Sequence, residues 1–171
     1  GQTIEEALAR AGSHREFLYS FDMLGEGART SADAAHYLDS YANAIEAIGK
    51  NAGKDALPRR PGISVKLSAL NPRFEALSRD RVLAGLVPKL LELAQLAKQH
   101  ELNFTIDAEE ADRLELSLDV IAATLRDASL AGWDGFGLAV QAYQKRAPEV
   151  IDWVHQAAVA FDRRLMVRLV K

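Results

Sequence analysis

Four short apolar segments end in a polar side chain, Asp22, Lys66, Asp107 and Gln141, and a fifth carries Arg168 and Lys171 towards its C-terminal end. The segments are EFLYSFD, GISVK, NFTID, FGLAVQ and RRLMVRLVK. Each is rich in β-branched or aromatic residues and reads as a strand. In parallel α/β proteins the C-terminal ends of the strands form the ligand face. A rim carrying both charge signs can bind an anionic substrate or hold a cofactor. Its members can also pair with one another, Asp107 with Lys66 or with Arg168. Lys66 follows an apolar triplet, so its ammonium projects into the mouth. There it serves as a point charge for a carboxylate or phosphate, or as a Schiff-base amine. Asp22 taken alone reads better as a cap on a sheet end. Arg168 sits in an otherwise apolar strand and calls for an anionic partner, because an unpaired buried charge is costly.

The other polar clusters read differently. Glu109, Glu110 and Asp112 form an acidic run that could bind a metal but more simply complements a helix start. The four histidines, His14, His36, His100 and His155, are scattered and show no ligand spacing. The glycine-rich stretch GWDGFG precedes a strand, whereas a dinucleotide loop must follow one and open a helix. Without cysteine, disulfides, thiolate metal sites and a cysteine nucleophile are excluded.

Helices must lie between these strands to position their ends. A lead-in helix covers Thr3 to Ala11. A long helix starts near Thr30, with Asp33 completing a capping-box-like pair, and Leu38, Tyr41, Ile45 and Ile48 form its buried stripe. A second long helix runs from Arg79 to Glu101, with Leu83, Leu86, Leu90, Leu93 and Ala97 inward. Pro88 should kink it or start a new helix. The third helix carries Leu114, Leu118, Ile121 and Leu125. The fourth opens near Pro148 and carries Val150, Val154, Ala157 and Phe161. The last strand is apolar on both faces, Leu165, Val167 and Leu169 against Met166 and Val170. It reads as covered on both sides.

Strict β-α alternation predicts a parallel α/β sheet. A (βα)8 TIM-like barrel allots ~31 residues to each unit, so five strands and four helices amount to a little over half of one. A doubly wound five-stranded sheet is the alternative, weakened by a final strand left uncovered. The 171 residues, 49% apolar and 26% charged with a net charge of −3, carry no basic run. Nucleic-acid binding has no electrostatic support here. No stretch approaches the ~18 apolar residues of a membrane span, and no signal peptide opens the chain.

Five stretches in register along the chain carry a resemblance: YSFDMLGEGARTSADA, PGISVKLSALNPRFE, IDAEEADRLELSLD, AVQAYQKR and RLMVRLVK. Together they resemble the proline dehydrogenase domain of bacterial proline utilization A. The resemblance implies a distorted (βα)8 barrel with FAD at the strand C-termini. It implies oxidation of L-proline to Δ1-pyrroline-5-carboxylate, with electrons passed to the flavin and then to a membrane quinone. Carried over position by position, Lys66 would meet the proline carboxylate and Asp107 would lie beside flavin and substrate. Gln141 would bond the flavin edge and Arg168 would sit near its reactive nitrogen. Val170 and Lys171 would add FAD contacts, Leu169 would pack near the substrate ring, and Glu26 would border the site.

On this reading residues 1–15 are a helical lead-in and residues 16–171 are the first part of the barrel, strands one to five. The family's pattern continues with further strands, an arginine pair on the substrate carboxylate and a histidine region at the flavin. These 171 residues alone are therefore expected not to turn over proline. The rest of the barrel, and in some relatives an aldehyde dehydrogenase or DNA-binding domain, would accompany them. The expected location is the cytoplasm, with peripheral association at the inner membrane. A lyase or aldolase using Lys66, and a non-catalytic scaffold half, are the competing readings.

Overall fold

The structure, a computed structural model, describes residues 3–14, 16–23 and 27–171. In chain order its elements are α1 (Ile4–Gly12), β1 (Ser20–Asp22), α2 (Ser31–Asn51), β2 (Gly62–Val65), α3 (Leu67–Leu70), α4 (Arg79–Gln99), β3 (Asn103–Ile106), α5 (Leu114–Leu125), β4 (Phe136–Gln141), α6 (Ala147–Ala160) and β5 (Met166–Val170). All five strands are parallel and pair in sequence order, β1-β2-β3-β4-β5. A doubly wound sheet reverses direction at a switch point. There is no reversal here, so the sheet has the progression of a barrel.

The parity of each strand divides the sheet into two faces. Ile63, Val65, Phe104, Ile106, Phe136, Leu138 and Val140 lie on the helix side and join Leu86, Leu90, Leu93, Ile121 and Val154 in one buried cluster. The other face carries smaller or polar residues: Ser20, Gly62, Ser64, Asn103, Thr105, Gly137, Ala139 and Arg168. Strands approach closely on that side. A Cβ built on Gly137 would stand 2.5 Å from the Met166 carbonyl oxygen, and one on Gly62 would stand 2.6 Å from that of Asn103. Backbone cannot yield cheaply, so Gly137→Val should cost about 3 kcal/mol or more. Gly85→Ala, in the middle of α4 with only the Asn71 amide at 3.8 Å, should instead stabilise by roughly 0.5–1 kcal/mol. Urea midpoints of the two variants check the pair.

Local chemistry sets the helix boundaries. Thr30 Oγ1 accepts from the Asp33 N–H at 3.1 Å while the Thr30 N–H donates to Asp33 Oδ2 at 2.9 Å, so the capping box forms. The Thr30 backbone, foremost, holds the Asp33 carboxyl below the usual carboxylate range. Pro88 does not divide α4, which runs on as one 21-residue helix. Leu86, Leu90 and Leu93 on either side of it are fully buried, and that packing outweighs one missing hydrogen bond. The turn after β2 is a single helical turn, α3, where the sequence pattern indicates only a chain reversal.

Two strands depart from expectation. β1 covers Ser20–Asp22 rather than Glu16–Asp22. The Gly62 N–H donates to the Tyr19 carbonyl at 2.9 Å, but the residue before Gly62 is Pro61, which has no N–H to extend the ladder. β5 is not covered on both sides: Val167 is 39% and Leu169 65% exposed. It pairs with β4 alone among the described residues, and α6 packs against β4. No described helix is long and apolar enough to cross a membrane.

Candidate functional site

Four of the five candidate residues meet, although Arg168 stands in the middle of β5 and not at its end. β2 ends at Val65, and Lys66 follows with its side chain on the small-residue face. Lys66 Nζ donates to Asp22 Oδ1 at 2.9 Å and Oδ2 at 3.0 Å, and to Asp107 Oδ2 at 3.0 Å. Arg168 donates from Nη2 to Asp107 Oδ1 and from Nη1 to the Ser64 hydroxyl at 3.0 Å. The result is a chain of alternating charge, Asp22–Lys66–Asp107–Arg168, across four of the five strands, at the ends of β1, β2 and β3 and in the middle of β5. The Lys66 and Asp107 side chains are only 12% and 11% exposed, whereas Asp22 is 45% exposed.

This geometry follows from the strand register. Ala139 lies beside Arg168, and Gly137 beside Met166. Small side chains on β4 leave the space through which the guanidinium reaches back to β3 and β2. The Lys66 main chain is fixed from the helix layer, where its N–H donates to the Tyr41 hydroxyl at 3.2 Å. Burial pushes the Tyr41 phenol up to about 12, so it stays protonated. Burial alone would depress the Lys66 ammonium, but the Asp22 and Asp107 carboxylates outweigh it and hold its pKa above the ordinary lysine value. Lys66 is therefore a fixed cation and a poor Schiff-base nucleophile, which needs a neutral amine.

Gln141 stands apart from the ion chain. It closes β4, donates to the Glu109 carbonyl at 3.3 Å and accepts from the Gln144 amide. Val170 lies beside Gln141 in the register. Lys171 follows it and is exposed. Leu169 lies beside Val140, on the opposite face from Arg168, so the structure does not bring it to Lys66. Glu26 falls outside the described residues.

Three supporting residues go beyond the strand-end pattern. Ser64 links Arg168 to Ser20, whose hydroxyl is 3.2 Å away. Its signal was a polar residue inside GISVK. Tyr41 reads in sequence as an ordinary core position. Glu109 reads as part of a helix-start acidic run, and a 3-10 turn over Ala111–Arg113, with Glu110 at its N-cap, does lead into α5. Glu109 Oε1 itself accepts from the Ser68 N–H at 3.0 Å, with its side chain 9% exposed. No group of acidic or histidine side chains suited to a metal ion occurs among the described residues.

The residues around this rim suit a large anionic or electron-accepting group. Gly137 and Ala139 leave the inner face of β4 low, a guanidinium lies beside it, and an amide closes its end. Gly27, Lys66, Ser68, Glu109 and Gln141 line a cleft of about 450 Å³ at the same end of the sheet.

Comparison with known proteins gives a consistent picture. A sequence profile of the family described as proline dehydrogenase matches residues 6–171. The bifunctional protein PutA of Klebsiella aerogenes is 52% identical over 173 residues, a match covering 100% of this chain and 13% of that protein. The PutA of Rhizobium meliloti is 49% identical over the same length and spans 14% of its own chain. A crystal structure of a Bradyrhizobium japonicum PutA mutant superposes with a TM-score of 0.91 at 72% identity, covering all of this chain and 17% of that one. The PutA structure from Bdellovibrio bacteriovorus, at 23% identity and a TM-score of 0.92, shares the fold. This chain thus spans about one seventh of the length of the curated relatives it matches.

Proposed function

This chain belongs to the proline dehydrogenase family, and on that premise we propose that it forms the first five strands of a TIM-like barrel oxidising L-proline to Δ1-pyrroline-5-carboxylate. The observation that carries the reading is the Lys66 ammonium, fixed between two carboxylates at the C-terminal mouth of a parallel sheet. Proline brings a carboxylate, and Lys66 is the cation placed to receive it. An ammonium has three N–H donors. In the free site they serve Asp22 and Asp107, so an incoming carboxylate takes one over from Asp22, the more exposed partner. Asp107 then keeps the ammonium aimed while Arg168 braces Asp107 from the far side.

FAD is the cofactor that fits these residues, and when bound it supplies the two-electron acceptor that passes electrons on to a quinone. Gln141, Arg168, Val170 and Lys171 are the residues of this chain proposed to hold it. Arg168 offers a positive charge where reduction leaves a negative one. The apolar helix-side packing of β2 to β4 keeps water from beneath the site. Other partners in this proposal are the remaining barrel strands and, since the curated relatives are bifunctional and far longer, further domains such as an aldehyde dehydrogenase. Work in the cytoplasm against the inner membrane, where a quinone can be reached, completes it.

The test is a visible spectrum of the purified full-length protein before and after L-proline under anaerobic conditions. A flavin spectrum that bleaches supports the proposal; a flavin that ignores proline overturns it. Borohydride added with a carbonyl substrate should leave Lys66 unmodified, as its raised pKa requires. Trapping on Lys66 would favour a Schiff-base lyase instead.

A further inference from the structure

We infer that Glu109 is a positioning residue whose carboxylate, through Ser68, latches Gly27 and Ala28 at the mouth of the site. The inference rests on the proline dehydrogenase reading for its kinetic consequence, and on geometry alone for the latch. Glu109 follows β3 by three residues, and its side chain turns back to α3, the helical turn after β2. There its Oε1 accepts from the Ser68 N–H at 3.0 Å. Ser68 in turn carries the β1 loop from both of its polar oxygens. Its hydroxyl accepts from the Gly27 N–H at 3.2 Å, and its carbonyl accepts from the Ala28 N–H at 2.9 Å.

Gly27, Ser68 and Glu109 line the same cleft as Lys66. Lys66 is two residues before Ser68, and Asp22, which holds Lys66, is five residues before Gly27. Gly27 and Ala28 are thus held from Ser68. Gly27 has φ +64°, a conformation that suits glycine and that the two bonds from Ser68 hold in place. The Glu109 main chain acts on the other side of the cleft, where its carbonyl accepts from Gln141 at 3.3 Å. One residue thus ties the third strand's loop to the first strand's loop and to the residue proposed at the flavin edge.

Burial makes the Glu109 charge matter. The carboxylate side chain is 9% exposed, and its cationic neighbour Arg113 stands off at 3.8 Å. Arg113 is itself engaged by Glu110 at 3.1 Å. A buried carboxylate kept for packing alone would be poorly repaid by so distant a cation. Its directed bond is the one to Ser68.

Three variants of the full-length protein test this: Glu109→Ala, Glu109→Gln and Ser68→Ala. Glu109→Ala should raise the KM for proline roughly tenfold, the worth of one lost charge-assisted bond, while kcat, flavin occupancy and the flavin spectrum stay near wild type. Glu109→Gln retains an acceptor oxygen and should recover most of that loss. Ser68→Ala should raise KM in the same direction, and its effect should not multiply with that of Glu109→Ala. Amide hydrogen exchange gives a readout independent of proline: Gly27 and Ala28 should exchange faster in Glu109→Ala and not in Glu109→Gln. Unchanged exchange at Gly27 and Ala28 overturns the latch. So does a Glu109→Ala protein that loses flavin and kcat together with no recovery in Glu109→Gln. A wild-type protein whose flavin proline does not reduce would overturn the proposed function, and the exchange measurement would still decide the latch.

Discussion

Lys66→Met should lower kcat/KM for proline by about 10²–10³-fold, read by steady-state turnover with an artificial electron acceptor and by anaerobic flavin bleaching. The estimate comes from removing one well-placed, largely buried cation from an anionic substrate, worth on the order of 3–4 kcal/mol. The thioether fills similar space, so the loss reports charge rather than a cavity. Lys66→Arg should recover part of it, since a guanidinium restores the charge but not the shape of the donor set. The pH behaviour separates this role from that of a proton carrier. Lys66 has a pKa raised above 10.5 by Asp22 and Asp107 against the pull of burial. Its contribution to stability is therefore full at any pH below the ordinary lysine value and is lost only as the pH rises above it, towards the native value. No inflection from Lys66 should enter the activity profile between pH 5 and pH 9. A Lys66→Met enzyme with unchanged KM, or a wild-type profile that titrates with Lys66, would remove Lys66 from the carboxylate site.

Periodicity made most of the fold legible. The β4 segment Phe136–Gln141 and the four crossover helices stand where the apolar spacing puts them, because each buries a stripe against the same sheet. What it could not show were features decided by a neighbour. The length of β1 is set by Pro61, which lies just before β2. The continuity of α4 through Pro88 is set by contacts with α2 and α5. The exposure of Val167 and Leu169 depends on which element covers β5, and apolar character in the strand itself carries no information about that. The site divides in the same way. Asp22, Lys66 and Asp107 were visible because charge at a strand end is conspicuous, and Arg168 because it is a charge inside an apolar strand, where the structure places it in the middle of β5. Gln141 shared the signal yet turns to Glu109 and Gln144 instead of joining the ion chain. Glu109 was hidden among acidic neighbours, since sequence shows that three carboxylates are adjacent but not that one of them folds back 41 residues to a backbone N–H.

Asp107→Ala should cost about 3–4 kcal/mol of stability and lower kcat/KM by roughly 10²-fold, because Asp107 is, among the described residues, the anion shared by both cations. Lys66 keeps Asp22 and Arg168 keeps Ser64 in this variant, so neither cation is stripped completely. They are left facing each other across the space the carboxylate filled, in a site where Asp107 was 11% exposed and water is scarce. Asp107→Asn should fall between, since it restores hydrogen-bonding capacity without the charge. The informative measurement is the cycle with Lys66→Met. Lys66→Met alone leaves Asp22 and Asp107 short of a cation, and Asp107→Ala alone leaves Lys66 and Arg168 short of an anion. The double variant removes one charge of each sign and restores neutrality with a single Asp22–Arg168 remainder. Its loss in kcat/KM should therefore be 10- to 100-fold smaller than the product of the two single losses. Multiplying losses would mean that the two residues act independently, with the observed pairing irrelevant to turnover. A double variant no worse than the poorer single variant would show that substrate binding draws on the pair as one unit, with Asp107 acting through the ammonium it aims.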